Sequence, residues 1–299
     1  MFKAISSTYS SNYDELTELV SEDILETYSQ SIAFQFDELF KTGDNLEYYK
    51  WTIRCFRSYR HILSSALFYE QSDFLLKRSM ANLNYYLLYY SWFHSVCSIL
   101  CLSPKLSFGK SKNIRHSDAL KLIKLYFVDK GILDNNFSKL HNELLMYREV
   151  FSYQIPLGGG RDSIKSIPKP EDLLDNISVY LPALIQLSSL LSYCANEIAE
   201  KYSKLYDFDD FYTKNQIECD QLFFESISIE DRLKDHLIID DNDYSRLGSM
   251  FSYFKGPYPL NSVIFEKFCD DLEGSWYDGK QKNSFDIRQV LNRIGRWIG

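Results

Sequence analysis

The residues of this chain best suited to acid–base and phosphate chemistry are arginines and histidines that fall close together along a helix. His141 and Arg148 are seven residues apart, about two helical turns, and so project from neighbouring faces of one helix. A guanidinium beside an apolar stripe is costly unless it is paired or faces a site. The ordinary role for His141 is a core-edge histidine bonded to a carbonyl. Arg54, Arg57 and His61 form a second group, for which ordinary helix patterning gives a solvated basic face. Lys112, Arg115 and His116 lie at the start of a helix, where a positive helix end and nearby cations suit a phosphate; a polar capping loop is the plainer reading. Gly158, Gly159, Gly160 and Arg161 lack the Lys-Ser/Thr pair of a phosphate loop and read as a connector. Cys97, Cys101 and His94 lack a matching ligand pair elsewhere, so no metal and no cofactor is expected.

Those side chains must be carried by helices. The pattern predicts helices over residues 13–40, 46–68 and 73–103, the last stopped by Pro104, with a polar loop over 105–115. Further helices are expected from Ser117 or Asp118 to a stop at Gly131, over 137–151, and over 171–202 with a bend at Pro182. Residues 156–170, rich in glycine and proline, are the clearest break. After Tyr206 acidic runs (Asp207, Asp209, Asp210; Asp240, Asp241, Asp243) and a turn at Gly256-Pro257 precede an amphipathic helix from Ser284. Its Ile287, Val290, Leu291, Ile294 and Trp297 suit either a groove on a protein partner or the chain's own core. The expected division is an acidic helical segment (1–45), a bundle (46–205) and a smaller, mostly helical C-terminal module (206–299).

The chain has 299 residues, 45% of them hydrophobic and 16% aromatic. That is ample for a buried core with bulky, half-polar interiors. A net charge of −8 excludes coating of nucleic acid or anionic membrane by the whole surface, so such contact must be local. The six cysteines are scattered, which reads as buried thiols, and the start of the chain lacks the pattern of a secretory signal. A cytoplasmic location is expected. Residues 81–104 carry no Asp, Glu, Lys or Arg. Their central tyrosines, asparagines and histidine favour a core helix over a membrane span.

Within the middle of the chain, Asn84-Tyr85-Tyr86, Tyr90-Ser91-Trp92-Phe93-His94-Ser95, Ile114-Arg115-His116-Ser117-Asp118-Ala119-Leu120, Phe127-Val128-Asp129-Lys130-Gly131-Ile132-Leu133 and Tyr147-Arg148-Glu149-Val150-Phe151-Ser152-Tyr153 follow one another in order. This order resembles the HEPN superfamily, helical bundles of nucleotide-binding and RNA-cleaving proteins in bacterial defence and toxin systems; the match covers residues 80–155. The resemblance implies a mainly α, HEPN-like bundle that forms a homodimer, with RNA or a nucleotide as its partner. Active members use an Arg followed by four to six residues and a His as an RNase site. Here the arginine is Arg148, but Tyr153 stands where the histidine belongs. An ordinary tyrosine, with a pKa of about 10, is a poor base near neutral pH. Arg148, Tyr153 and His141 are therefore the expected catalytic set of an RNA-cleaving effector in a toxin–antitoxin or antiviral system. The alternative is a degenerate module that binds a nucleotide or a protein partner.

Overall fold

The computed structural model describes residues 1–8, 13–78, 81–153, 168–203, 213–227 and 286–298. The glycine-rich connector with Arg161, the acidic runs after Tyr206 and the Gly256-Pro257 turn lie outside the described residues. Those residues form a mainly α bundle, with no strand among them. In chain order the elements are α1 (Phe2–Thr8), α2 (Asp14–Leu19), α3 (Glu22–Thr42), α4 (Asn45–Leu76), α5 (Ala81–Cys101), α6 (Phe108–Ser111), α7 (His116–Ile123), α8 (Asn135–Tyr153), α9 (Pro170–Ser203), α10 (Gln216–Ile227) and α11 (Ile287–Ile298).

The bundle is organised around α5. With no charged side chain to hold at the surface, this helix is enclosed by α4, α8 and α9. Its antiparallel contact with α4 is built from small polar residues repeating every seventh position, which returns them to one face after two turns. Ser58, Ser65 and Ser72 of α4 meet Ser98, Ser91 and Asn84 of α5, all without exposed surface. The Ser58 hydroxyl donates to the Ser98 carbonyl and the Ser91 hydroxyl to the Ser65 carbonyl, each at 2.9 Å, and Ser72 donates to Asn84 Oδ1 at 3.1 Å. The hydroxyls of Ser58, Ser72 and Ser91 thus have their partners inside the seam, as buried polar groups require.

Arg54 closes one end of that seam. It is 3% exposed, and its guanidinium donates to the carbonyls of Cys101 (2.6 Å), Leu106 (2.8 Å) and Ser103 (2.6 Å). These include orphan carbonyls that a helix C-terminus leaves unsatisfied. The charge lies 3.9 Å from the centre of the Trp51 ring, and burial pulls the pKa of the guanidinium down to about 10. The solvated basic face expected for Arg54, Arg57 and His61 is thereby overturned: Arg54 is core, and half-buried Arg57 donates to the Lys112 carbonyl at 2.8 Å.

On the far side of α5, Tyr85 stacks on Phe151 of α8 at 4.1 Å and Trp92 packs on Phe137 at 4.4 Å. Helix α9 runs through Pro182 and joins α5 where the Ser98 and Ser188 hydroxyls approach to 2.8 Å. Its stretch from Pro170 to Tyr202 is long and apolar enough to cross a membrane, yet 83% of the most apolar window is buried inside the fold. It is thus packed as a core helix. The helix expected over 13–40 is interrupted at Val20 and Ser21, whose backbones are extended. In the first turn of α2 the Gln186 side chain accepts from the Leu16 amide at 2.9 Å, anchoring α2 to α9. The α7 helix ends in a widened turn from Lys124 to Val128 that drives Phe127 into the core. Gly131, at φ 72°, then takes the left-handed backbone expected of a helix stop.

The apolar face of α11 is covered by α4 and α9 of the same chain. Ile287, Val290, Ile294 and Trp297 are buried, Trp297 meets the Tyr69 ring edge-on at 5.5 Å, and Arg293 Nε donates to buried Glu70 at 2.5 Å. Five cysteines, Cys55, Cys97, Cys101, Cys194 and Cys219, are buried free thiols; Cys269 lies outside the described residues.

The Arg54 contacts generate a stability test. Arg54→Ala strands buried carbonyls that no water reaches and is expected to cost about 3 kcal/mol or more in chemical denaturation. Arg54→Lys should recover little of this, because a single ammonium lacks the planar fork that spans the carbonyls. Full recovery by lysine would show that charge alone matters there.

Candidate functional site

Four of the five histidines come from four different helices and meet around α5: His61 (α4), His94 (α5), His116 (α7) and His141 (α8). His61 and His94 share one hydrogen bond, with their Nδ1 atoms 2.9 Å apart. One ring must donate and the other accept, so the pair holds opposite tautomers. The Phe68 ring stacks on His94 at 5.6 Å, and burial holds both pKa values down, that of His94 to about 4, with His94 lowering His61 further and His116 lowering His94.

His141 has no exposed surface. Its Nδ1 accepts from the Trp92 indole N–H at 3.1 Å, which places its proton on Nε2. That atom is buried without a hydrogen-bond partner among the described residues. Burial pushes the pKa of His141 down to about 4. The sequence set His141 beside Arg148 as a possible base. The structure instead encloses it under Trp92, with an indole as partner in place of the expected carbonyl.

His116 is the histidine that meets Arg148. As first residue of α7 it is half-buried, its ring 4.0 Å from Phe93 and 5.5 Å from Tyr89. Its Nδ1 lies 2.7 Å from the Tyr89 hydroxyl. Burial, then the positive charge of Arg148, lowers its pKa. Arg148 is also half-buried. Its Nη2 donates to the Tyr90 hydroxyl at 3.3 Å, and its guanidinium carbon lies 5.8 Å and 5.9 Å from the Tyr89 and Tyr90 ring centres. Two consecutive residues of α5 thus carry a cation from α8 and an imidazole from α7.

Around this pair the other expected residues divide. Arg115 is exposed at the N-terminal cap of α7 and does not cap the helix with its side chain. Lys112 is half-buried, with its carbonyl taken by Arg57. Of these two, Arg115 is the cation next to His116 in the chain. Tyr153 is the last residue of α8, but its side chain lies outside the described residues. Among the described residues no three His, Cys, Asp or Glu side chains gather into a group that could hold a metal ion. Chemically, the site offers a neutral imidazole, a guanidinium and phenolic hydroxyls, the means for proton exchange beside a negatively charged group. Sequence reasoning missed Tyr89 and Tyr90 as its support and His61–His94 as a pair. The signal was the run of tyrosines four residues before His94 on a helix with no charge to solvate.

Compared with known proteins, the chain matches no protein-family model, no curated protein and no solved structure.

The buried histidines fix the pH dependence of stability. Their folded pKa values lie below the ordinary 6.5, so the unfolded chain takes up protons first as pH falls. Their contribution is present in full above about pH 6.5 and is lost between there and pH 4. His141 alone, titrating near 4, accounts for about 3 kcal/mol across that interval. Urea midpoints measured between pH 7.5 and 4.5 should fall steeply, and His141→Gln, which keeps an acceptor for Trp92, should flatten the curve. An unchanged slope in that variant would remove His141 as a source.

Proposed function

We propose that the α5–α7–α8 site cleaves RNA without a metal, with Arg148 holding the phosphate and His116 exchanging the proton. The observation that carries this reading is the convergence of a half-buried imidazole and a half-buried guanidinium on one tyrosine pair, the hydroxyls of Tyr89 and Tyr90 lying 2.7 Å from His116 Nδ1 and 3.3 Å from Arg148 Nη2. His116 takes the proton of a ribose 2′-hydroxyl as its oxygen attacks the neighbouring phosphorus. Arg148 stabilises the charge gathering on the phosphate oxygens, the P–O5′ bond breaks, and the proton passes to O5′. The products are a 2′,3′-cyclic phosphate and a 5′-hydroxyl. His116 here takes the part that the sequence assigned to Tyr153 or His141. Aromatic rings around the Arg148 guanidinium, with exposed Arg115 next to His116 in the chain, supply the local positive region that a chain of net charge −8 needs for an RNA contact.

The HEPN resemblance of residues 80–155 adds the setting: a cytoplasmic homodimer acting as a toxin or antiviral effector. Tyr153 in place of histidine favours a second reading, a degenerate module that binds a nucleotide or partner without cutting RNA.

The test is tRNA and mRNA integrity after induced expression, followed by cleavage assays on purified protein. Wild type should fragment RNA, whereas Arg148→Ala and His116→Ala, each shown to fold by circular dichroism, should lose cleavage by roughly 100-fold or more. Intact RNA with wild type, combined with calorimetric binding of a nucleotide, would select the binding module. Equal fragmentation by all three proteins would place the chemistry elsewhere.

A further inference from the structure

We infer that Tyr89 and Tyr90 are positioning residues with separate duties, Tyr89 fixing the proton arrangement of His116 and Tyr90 fixing the direction of Arg148. The inference rests on the RNA-cleaving reading for its catalytic part, but its structural part stands on geometry alone. Consecutive helical residues project about 100° apart, and the two rings meet at 82° with centres 5.4 Å apart. One hydroxyl therefore reaches α7 and the other α8. The Tyr89 hydroxyl lies 2.7 Å from His116 Nδ1, while the Tyr90 hydroxyl accepts from Arg148 Nη2 at 3.3 Å.

The consequence for His116 concerns which ring nitrogen reacts. With Nδ1 engaged by the phenol, Nε2 is the nitrogen left to exchange a proton with a ligand. When Nδ1 carries the ring proton and the phenol oxygen accepts it, Nε2 holds the lone pair that a base requires. A partner that orients a catalytic imidazole through its other nitrogen is worth roughly 10- to 100-fold in activity. Tyr89 suits this duty because it has no exposed surface and its side chain is fixed by packing, with Phe93 stacked at 6.1 Å.

Arg148 is held by more than the single hydrogen bond. Its guanidinium lies within 6 Å of both tyrosine rings, close enough for cation–π attraction to each. Removing the Tyr90 hydroxyl leaves the rings and the charge in place and releases the hydrogen bond that aims Nη2. Its loss should therefore appear in substrate binding and leave the titration of His116 unmoved.

The experiment compares wild type, Tyr89→Phe and Tyr90→Phe by nitrogen-15 NMR of the histidine rings, without RNA, and by cleavage kinetics. Wild type should show one His116 tautomer with Nδ1 hydrogen-bonded. Tyr89→Phe should give a mixture of tautomers and a displaced His116 titration, with kcat down roughly 10- to 100-fold at similar KM. Tyr90→Phe should keep the wild-type His116 signals and raise KM. His116 ring shifts identical in wild type and Tyr89→Phe overturn the role of Tyr89. An unchanged KM in Tyr90→Phe overturns that of Tyr90. If NMR shows the expected tautomer change while no protein cleaves RNA, the positioning of His116 holds and the RNA-cleaving reading fails.

Discussion

The seam between α4 and α5 is the constraint on which the remainder of the structure depends. Two long helices lie antiparallel in contact through Ser58, Ser65 and Ser72 on one and Ser98, Ser91 and Asn84 on the other. Small side chains let the backbones come close, but a buried hydroxyl without a partner is costly, so each fixes the axial register in which it finds one. A slip of one residue would break all of these contacts together. The same register brings Arg54 under the C-terminal end of α5 and His61 opposite His94.

Once α5 is fixed in this way, its other faces have defined tasks. The seam takes the Ser91 hydroxyl, the Ser98 carbonyl and Asn84. The large aromatic residues turn towards α8 and α9, where Tyr85 and Trp92 stack on Phe151 and Phe137. Tyr89 and Tyr90 lie between these two sides, and their hydroxyls find partners in His116 and Arg148. The candidate site residues on α7 and α8 are therefore held as the seam is held, by hydrogen bonds to polar groups carried on α5.

Much of this was legible along the chain, and the remainder was hidden for identifiable reasons. Absence of charge over residues 81–104 marked a central helix, and Gly131 marked a stop because few other residues tolerate its backbone angle. The inward lean of Arg148 followed from its place beside an apolar stripe. Arg54 was misread, since a guanidinium on a helix looks solvated until the end of another helix is known to present bare carbonyls to it. The seven-residue spacing of serines was visible but silent, because serine occupies solvent faces equally well. The break between α2 and α3 carried no glycine or proline to mark it. His116 and Tyr89 belong to separate helices, so no spacing within one helix could pair them.

Burial sorts the histidines by what each can do. His141, enclosed under Trp92, is neutral and out of reach of any ligand. His61 and His94 satisfy each other, leaving a single shared hydrogen between two Nδ1 atoms. His116 is half-buried beside the Arg148 charge and, unlike half-buried His61 and His94, does not share its Nδ1 with another histidine, which is why the proposed proton exchange is assigned to it. The chargeless character of α5 matters here as well. On α5 the Arg148 guanidinium meets the Tyr89 and Tyr90 rings and the Tyr90 hydroxyl, none of which carries a charge. The charge-free run whose composition raised the question of a membrane span is, in the folded chain, the uncharged floor on which the residues of α7 and α8 rest.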